Sequence, residues 1–381
     1  MSGSQEERDA LLATVTRFAR EVIAPGVRER EERGEFCHDT WRRICHLGLP
    51  GLLLDPAYGG SGLKASDVVP AIIGFASESR DFGITGAWLT HMLLAAMPIS
   101  VLGNEEQKQR YLPAMAEGAK IGALCLTEPG AGSDLTGLKT TARPHPGGYV
   151  LNGSKTFISN APIADVFVVL ASTAPELGAK GLTMFVVERG AAGLTTGQPL
   201  RKRECHSWPT GEVFFDDCVV PAGNRLGEEG KGMTYMLQSL MWERLAFVPY
   251  VGLIESNLRD SLEYATQRRQ FGQRIADFGA VQTMLADMKI DLDISRMLAV
   301  DLARRMDQGE DISMTAAVAK TFITEAAERA AYRAVQIFGG NGCMDEYDIG
   351  RSLWISKMGT IGGGTSQIQR GVIARLLARG L

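Results

Sequence analysis

Over the first 120 residues apolar positions recur at intervals of three and four, as at Leu11/Leu12, Val15, Phe18/Ala19 and Val22, and again at Ile72/Ile73 and Met92 to Met97. That spacing stacks them on one helical face, so amphipathic helices are predicted. Pro and Gly interrupt the pattern twice, at Ala24-Pro25-Gly26 and in DPAYGGSG from 55 to 62. From about 121 to 231 the rhythm shortens to GALCL, GGYVL, SKTFIS, DVFVVLAS, LTMFVVE and EVFFDDCVV, runs rich in Val, Phe and Thr that predict strands. Asn152-Gly153, between YVL and SKTFIS, supplies the positive φ values of a two-residue hairpin turn. Nothing helical separates these strands, which favours an antiparallel barrel or sandwich over a βαβ sheet. From 232 onwards helical periodicity returns, at Val251, Ile254, Leu258, Leu262, Ala265 and at Val281, Met284/Leu285, Met288, Leu292. Long helices with short connections predict an antiparallel bundle.

The expected architecture is an α+β multidomain chain: helical over 1–120, β over 121–231 and a helical bundle over 232–381. A length of 381 residues suits two or three units of about 150 residues. Composition is that of a globular protein, 45% hydrophobic and 22% charged. Lys+Arg 40 against Asp+Glu 44, a net charge of -4, gives no reason to expect a nucleic-acid partner. Six scattered cysteines without a CxxC pair read as reduced thiols. The start, MSGSQEERDALLATV, lacks the basic segment and apolar stretch of a signal peptide, and no window approaches about 20 continuous apolar residues. A cytoplasmic protein with no membrane association is expected.

Several runs bear on chemistry. LTEPGAGSD, 126 to 134, fails the GxGxxG pattern because Leu135 stands where a third glycine is needed. Its glycines would let backbone N–H groups approach an anion or a polar ring edge, and Thr127 and Ser133 add hydroxyls; a purely structural turn reads equally well. Gly230-Lys231 fails as a P-loop, with Arg225 and Gly232 at positions that require Gly and Ser or Thr. Cys37-His38 and Cys45-His46 are eight apart, too far for a structural zinc cluster, and no metal is expected. His91, His145 and His206 join no nucleophile. Glu243, flanked by Met241, Trp242 and Leu245, would have a raised pKa if buried, as a general base needs, whereas pairing with Arg244 would act the other way or make a plain surface ion pair. Pro249, one turn on, is expected to bend that helix and free the carbonyl of Leu245.

Six motifs in order resemble the acyl-CoA dehydrogenase family over nearly the whole chain: LTEPGAGSD, NGSKTFISNAPIAD, FFDDCVVP, YATQRRQFG, QIFGGNG and GGGTSQIQR. The resemblance implies an N-terminal helical domain, a middle β-barrel and a C-terminal four-helix bundle. It also implies FAD shared across a homodimer or homotetramer. Residue by residue, Leu126, Thr127 and Ser133 would line the isoalloxazine, Phe157, Ile158 and Ser159 would lie against it, and Arg268, Phe271, Gln336 and Gly340 would hold the pyrophosphate and adenosine side. Thr365 and Gln367 would contact the adenosine half.

The implied reaction is α,β-dehydrogenation of an acyl thioester, with α-proton abstraction by a carboxylate and hydride transfer to flavin N5. Many relatives carry the base two residues before the Thr of the last motif, where this chain has Gly363; isovaleryl-type members carry it just before an Arg, where this chain has Glu243. Glu243 is therefore the expected base, Arg244 and Ser133 substrate contacts, and Gly363 a backbone N–H donor to the thioester oxygen. Departures include Phe157 where Trp is common and Gly279 where Gln is usual. Ser79-Arg80-Asp81, NAPIAD and MWER look more like enzymes acting on carrier-protein thioesters, prolyl-carrier-protein dehydrogenases among them. The substrate is thus acyl-CoA or an acyl-carrier protein, and the electron acceptor an electron-transfer flavoprotein or oxygen. Alternatives are an oxidase or monooxygenase on the same fold and a non-enzymatic flavin-binding interaction protein.

Overall fold

The computed structural model describes residues 5–380. Seven helices come first: α1 (Gln5–Phe18), α2 (Val27–Arg33), α3 (His38–His46), α4 (Ala65–Ser79), α5 (Phe82–Leu89), α6 (Met97–Leu102) and α7 (Glu105–Ala116). Both sequence breaks terminate helices. Gly26 takes φ +83 ahead of α2, and in the second break the Asp55 carboxylate accepts from the Ala57 N–H at 2.8 Å while Gly59 turns at φ +83. A π-helical turn, Thr90–Ala96, joins α5 to α6, so Phe82–Leu102 runs for 21 helical residues. That run is long and apolar enough to cross a bilayer, which the sequence reading did not anticipate, but it is 78% buried among the other elements.

Eight strands follow: β1 (Gly122–Cys125), β2 (Thr141–His145), β3 (Gly148–Ser159), β4 (Val166–Ser172), β5 (Leu182–Glu188), β6 (Leu194–Thr196), β7 (Thr210–Pro221) and β8 (Arg225–Leu226). Their order is β6-β7-β3-β2-β4-β5-β8, with β1 beside β4. Two expectations need correction. The sheet is mixed rather than antiparallel, because β1 pairs with β4 in parallel and β2 meets β4 in parallel at Thr141 and Ser172. Asn152-Gly153 is no hairpin turn; both lie inside β3, where the register against β7 shifts between Leu151 and Gly153. The positive φ expected of Gly153 is present, at +145, but it serves this bulge, where a Cβ would lie 2.6 Å from the Thr140 hydroxyl.

The helices after the sheet are α8 (Gly232–Glu243), α9 (Pro249–Gln267), α10 (Gly279–Asp307), α11 (Ser313–Phe338), α12 (Arg351–Ile361) and α13 (Ser366–Ala378), with a small ribbon of β9 (Arg269–Gln270) and β10 (Gln273–Arg274) between α9 and α10. All seven residues of β4 are buried. Val166, Val168 and Leu170 join a core shared with both helical regions, and Phe167, Val169 and Ala171 join a second core inside the sheet. This explains why DVFVVLAS is continuously apolar: both faces of the strand are covered. His91 links the layers. Its Nε2 lies 2.9 Å from the Met115 carbonyl and its Nδ1 accepts from the Gly122 N–H at 3.0 Å, so the ring is neutral, and burial pushes its pKa down to about 4.

Candidate active site

A cavity of about 540 Å³ opens where α5, the end of β3, the loop before β7, the α8–α9 junction and the end of α12 converge. Phe157, Ser159, Glu243 and Gly363, far apart in sequence, line it together.

The α8–α9 junction is built by Pro249. Lacking an N–H, it cannot continue the hydrogen-bond ladder, so α8 ends at Glu243, residues 244–247 tighten into a 3-10 turn and α9 begins at Pro249. The Leu245 carbonyl, expected to be left free, instead accepts from the Val248 N–H at 3.1 Å. Glu243 is the last residue of α8, where the 3-10 turn begins. Its Oε2 is buried without a hydrogen-bond partner. Burial raises its pKa above the ordinary carboxylate range, opposed by the charges of Arg244 and Lys320. The alternative of a Glu243–Arg244 surface pair does not hold: Arg244 Nη1 donates to the Gly363 carbonyl at 3.0 Å, and no Glu243–Arg244 ion pair exists among the described residues.

Gly363 faces Glu243. It adopts φ +60, where any other residue is strained, and a Cβ there would lie 2.3 Å from Phe247 Cζ and 3.1 Å from Glu243 Oε1. A carboxylate side chain has no room at this position, so the two base positions of the family are mutually exclusive here. Gln369 Nε2 also donates to the Gly363 carbonyl, at 3.0 Å, and Lys320 Nζ to the Gly364 carbonyl, at 2.8 Å. Lys320, Gln369 and Phe247 were not singled out from sequence; the only signal that could have found the first is a lysine within an alanine-rich helical run, and its burial shows only in the structure.

The opposite wall is a bulge in β3. The register against β7 shifts between Lys155 and Ile158, and Phe157 takes φ +57, which thrusts its ring outward until it is 69% exposed. Ile158, expected beside it, points away: it is 3% exposed inside the sheet core, so only its backbone can face the cavity. Leu126 and Thr127 adjoin this bulge, the Thr156 N–H donating to the Thr127 carbonyl at 2.9 Å. A buried ion pair missed from sequence supports them. Lys155 Nζ reaches Glu128 Oε1 at 2.9 Å and the Leu126 carbonyl at 3.1 Å, while Glu128 accepts from the Lys139 and Thr140 N–H groups. Burial raises the Glu128 pKa, but Lys155 and these N–H donors outweigh it and hold the carboxyl below its usual range. Where Gly130 and Gly132 stand, an added Cβ would meet nothing within 4 Å, so packing does not explain them; they leave an open shelf beside the exposed Ser133.

Of the expected contacts only Phe157, Ser159, Glu243 and Gly363 line the cavity; Leu126, Thr127, Ser133 and Arg244 do not, and neither do the remaining ones. Arg268 is exposed at the end of α9, and Phe271, at the tip of the β9–β10 ribbon with φ +49, is 94% exposed. Gln336, Gly340 and Gln367 are exposed, and the Thr365 hydroxyl caps α13 by accepting from the Ile368 N–H at 3.2 Å.

The chain belongs to the acyl-CoA dehydrogenase family: its N-terminal domain matches residues 5–119, its middle domain 123–218 and its C-terminal domain 230–378. Among its relatives, the L-prolyl-[peptidyl-carrier protein] dehydrogenase of Pseudomonas fluorescens is 41% identical over 376 residues, covering 98% of each chain. Two solved structures superpose closely. One, described as PigA with FAD and proline, has a TM-score of 0.96 at 33% identity over 99% of this chain and 98% of its own. The other, butyryl-CoA dehydrogenase from Megasphaera elsdenii, has a TM-score of 0.95 at 35% identity and full coverage of both.

Proposed function

We propose that this protein is an FAD-dependent dehydrogenase of acyl thioesters in which Glu243 removes the α-proton. The observation that carries this reading is the buried, unpartnered Glu243 oxygen in a cavity opposite Gly363. The residues present fit FAD: the open glycine shelf, the outward Phe157 ring and the strained bulge that presents it leave space that packing alone does not account for. When bound, FAD supplies the hydride acceptor for the β-hydrogen. Leu126, Thr127, Ser133, Phe157 and Ser159 would hold its ring system. Arg268, Phe271, Gln336 and Gly340 are exposed and do not line this cavity, which supports their serving the site of a second copy in a homodimer or homotetramer.

Burial keeps Glu243 a stronger base than an exposed carboxylate, and Arg244 and Gln369 fix the Gly363 carbonyl so that the turn is held where the thioester oxygen would seat. With FAD bound, loss of the α-proton to Glu243 and of the β-hydrogen as hydride would leave the α,β-unsaturated thioester. The carrier-protein relative and the FAD-and-proline structure favour a compact aminoacyl group such as prolyl on a carrier protein; the butyryl-CoA relative favours a short acyl-CoA.

Anaerobic flavin bleaching against prolyl-carrier protein and a series of acyl-CoA thioesters separates these substrates. Glu243→Gln should retain FAD and lose bleaching; undiminished bleaching in that variant refutes the base assignment. Slow reoxidation of the reduced protein in air would mark an electron-transfer flavoprotein as acceptor, and fast reoxidation oxygen.

A further inference from the structure

We propose that Lys320 is a positioning residue of this site: its ammonium clamps the Gly363–Gly364 turn and the Phe247 ring beside Glu243 and supplies the second positive charge that favours the carboxylate. The inference rests on Glu243 acting as the base.

Lys320 is 2% exposed in the first third of α11 and forms no ion pair among the described residues. A methionine would fill a similar volume without burying a charge, so packing does not account for an ammonium here. What the ammonium does is specific. It donates to the Gly364 carbonyl at 2.8 Å and lies 5.1 Å from the centre of the Phe247 ring, a cation–π distance. Phe247 is the ring that occupies the space a Cβ of residue 363 would need, and Gly363 is the residue that faces Glu243. Lysine, ring, turn and carboxylate thus form a continuous series of contacts.

The turn needs such support. Gly363 and Gly364 have φ +60 and +81 and no side chains to hold them. Their two carbonyls are instead gripped from three directions, by Arg244 ahead of α9, by Gln369 of α13 and by Lys320 of α11.

The charges around Lys320 single out Glu243 as its electrostatic counterpart. On its own helix Glu325 pairs with Arg370 of α13, and Glu328 with Lys357 of α12. Arg244 faces it from the α8–α9 junction, and Arg201, Lys202, Arg203 and Glu204 from the loop before β7, with Lys357 of α12, line the cavity. Glu243 is left as the carboxylate without an ion-pair partner. Burial, followed by the Arg244 charge, pushes the Lys320 pKa down to about 8, so it is largely charged below that pH.

The test compares Lys320→Met, Lys320→Gln and Lys320→Arg in the FAD-loaded protein. The Glu243 carboxyl is titrated by infrared absorption, with its band identified by loss in Glu243→Gln, and the acid limb of the flavin-reduction rate is measured in parallel. Removing the charge should raise the Glu243 pKa by about one unit, roughly a tenfold change in proton affinity. The Met and Gln variants should both show it and Arg should not, since it keeps the charge. A merely structural lysine would lower melting temperature and FAD content without moving the titration. An unmoved Glu243 titration in the Met and Gln variants overturns the proposal; if Met does not fold, the Gln variant, which can still donate to Gly364, decides alone. Inactive Glu243→Gln together with unmoved Lys320 variants removes this inference and leaves the base assignment standing. Active Glu243→Gln removes the base assignment itself.

Discussion

Gly363→Ala places a methyl group into the tightest point of the site, and its cost can be worked out in parts. The φ of +60 costs an L-residue about 1–2 kcal/mol. The new Cβ would lie 2.3 Å from Phe247 Cζ, whereas carbon atoms sit comfortably at about 3.5–4 Å, so the ring must move by more than 1 Å. Overpacking of that size costs about 1–3 kcal/mol. The expected total is about 2–5 kcal/mol, of which only the second part depends on Phe247. Glu243 Oε1, at 3.1 Å from the same Cβ, must also shift, and a displaced base should slow flavin reduction about tenfold or more. The assay is a double-mutant cycle with Phe247→Leu, which removes the Cζ atom, read by denaturant unfolding and by single-turnover flavin reduction. In the Leu background the stability cost of Gly363→Ala should fall to the backbone share, a coupling of about 1–3 kcal/mol. An undiminished cost in the Leu background, or a cost below about 1 kcal/mol in the native one, would show that the ring does not exclude a side chain from this position.

Two further outcomes follow from buried titratable groups. Glu128→Gln leaves the Lys155 ammonium, which is 0% exposed, without its carboxylate; a loss of about 3–5 kcal/mol and weakened FAD retention are expected, measured by denaturant unfolding and bound-flavin absorbance. Unchanged stability would mean the pair does not anchor the 126–140 segment. His91 folds in its neutral form with a pKa of about 4 against 6.5 when unfolded, so its contribution is complete above pH 6.5 and is lost as pH falls from there toward 4. That difference is worth about 3 kcal/mol, and the decline of melting temperature across this range should be shallower in His91→Gln.

The helical, β, helical order was readable because burial imposes periods of 3.6 and 2 on the sequence, and these survive without tertiary knowledge. What failed was local geometry decided by distant neighbours. Asn152-Gly153 carries hairpin chemistry, yet Asp217 exchanges two hydrogen bonds with the Asn152 side chain and keeps the pair inside a strand. Pro249 does not leave the Leu245 carbonyl free, because the preceding turn tightens and the Val248 N–H closes it. Parallel pairing of β1 with β4 joins segments forty residues apart and leaves no trace in either run. At the site, Glu243 and Gly363 were identified through motifs. Lys320 and the Glu128–Lys155 pair were not, because a buried charge is recognisable only once its surroundings are known.

The two-sided strand β4 has a consequence for how this protein can be divided. Three regions of distinct texture suggest three separable modules. Yet excising the middle one would bring Val166, Val168 and Leu170 of β4, with Leu182, Met184 and Val186 of β5, to a water-facing surface, since these six belong to the core completed by the helices on either side. Such an exposed apolar face on a sheet invites association with other chains. The sequence is modular in its pattern but not in its thermodynamics: the segment from 121 to 231 would aggregate on its own, and the chain must acquire its helical regions before the sheet has a stable outer face.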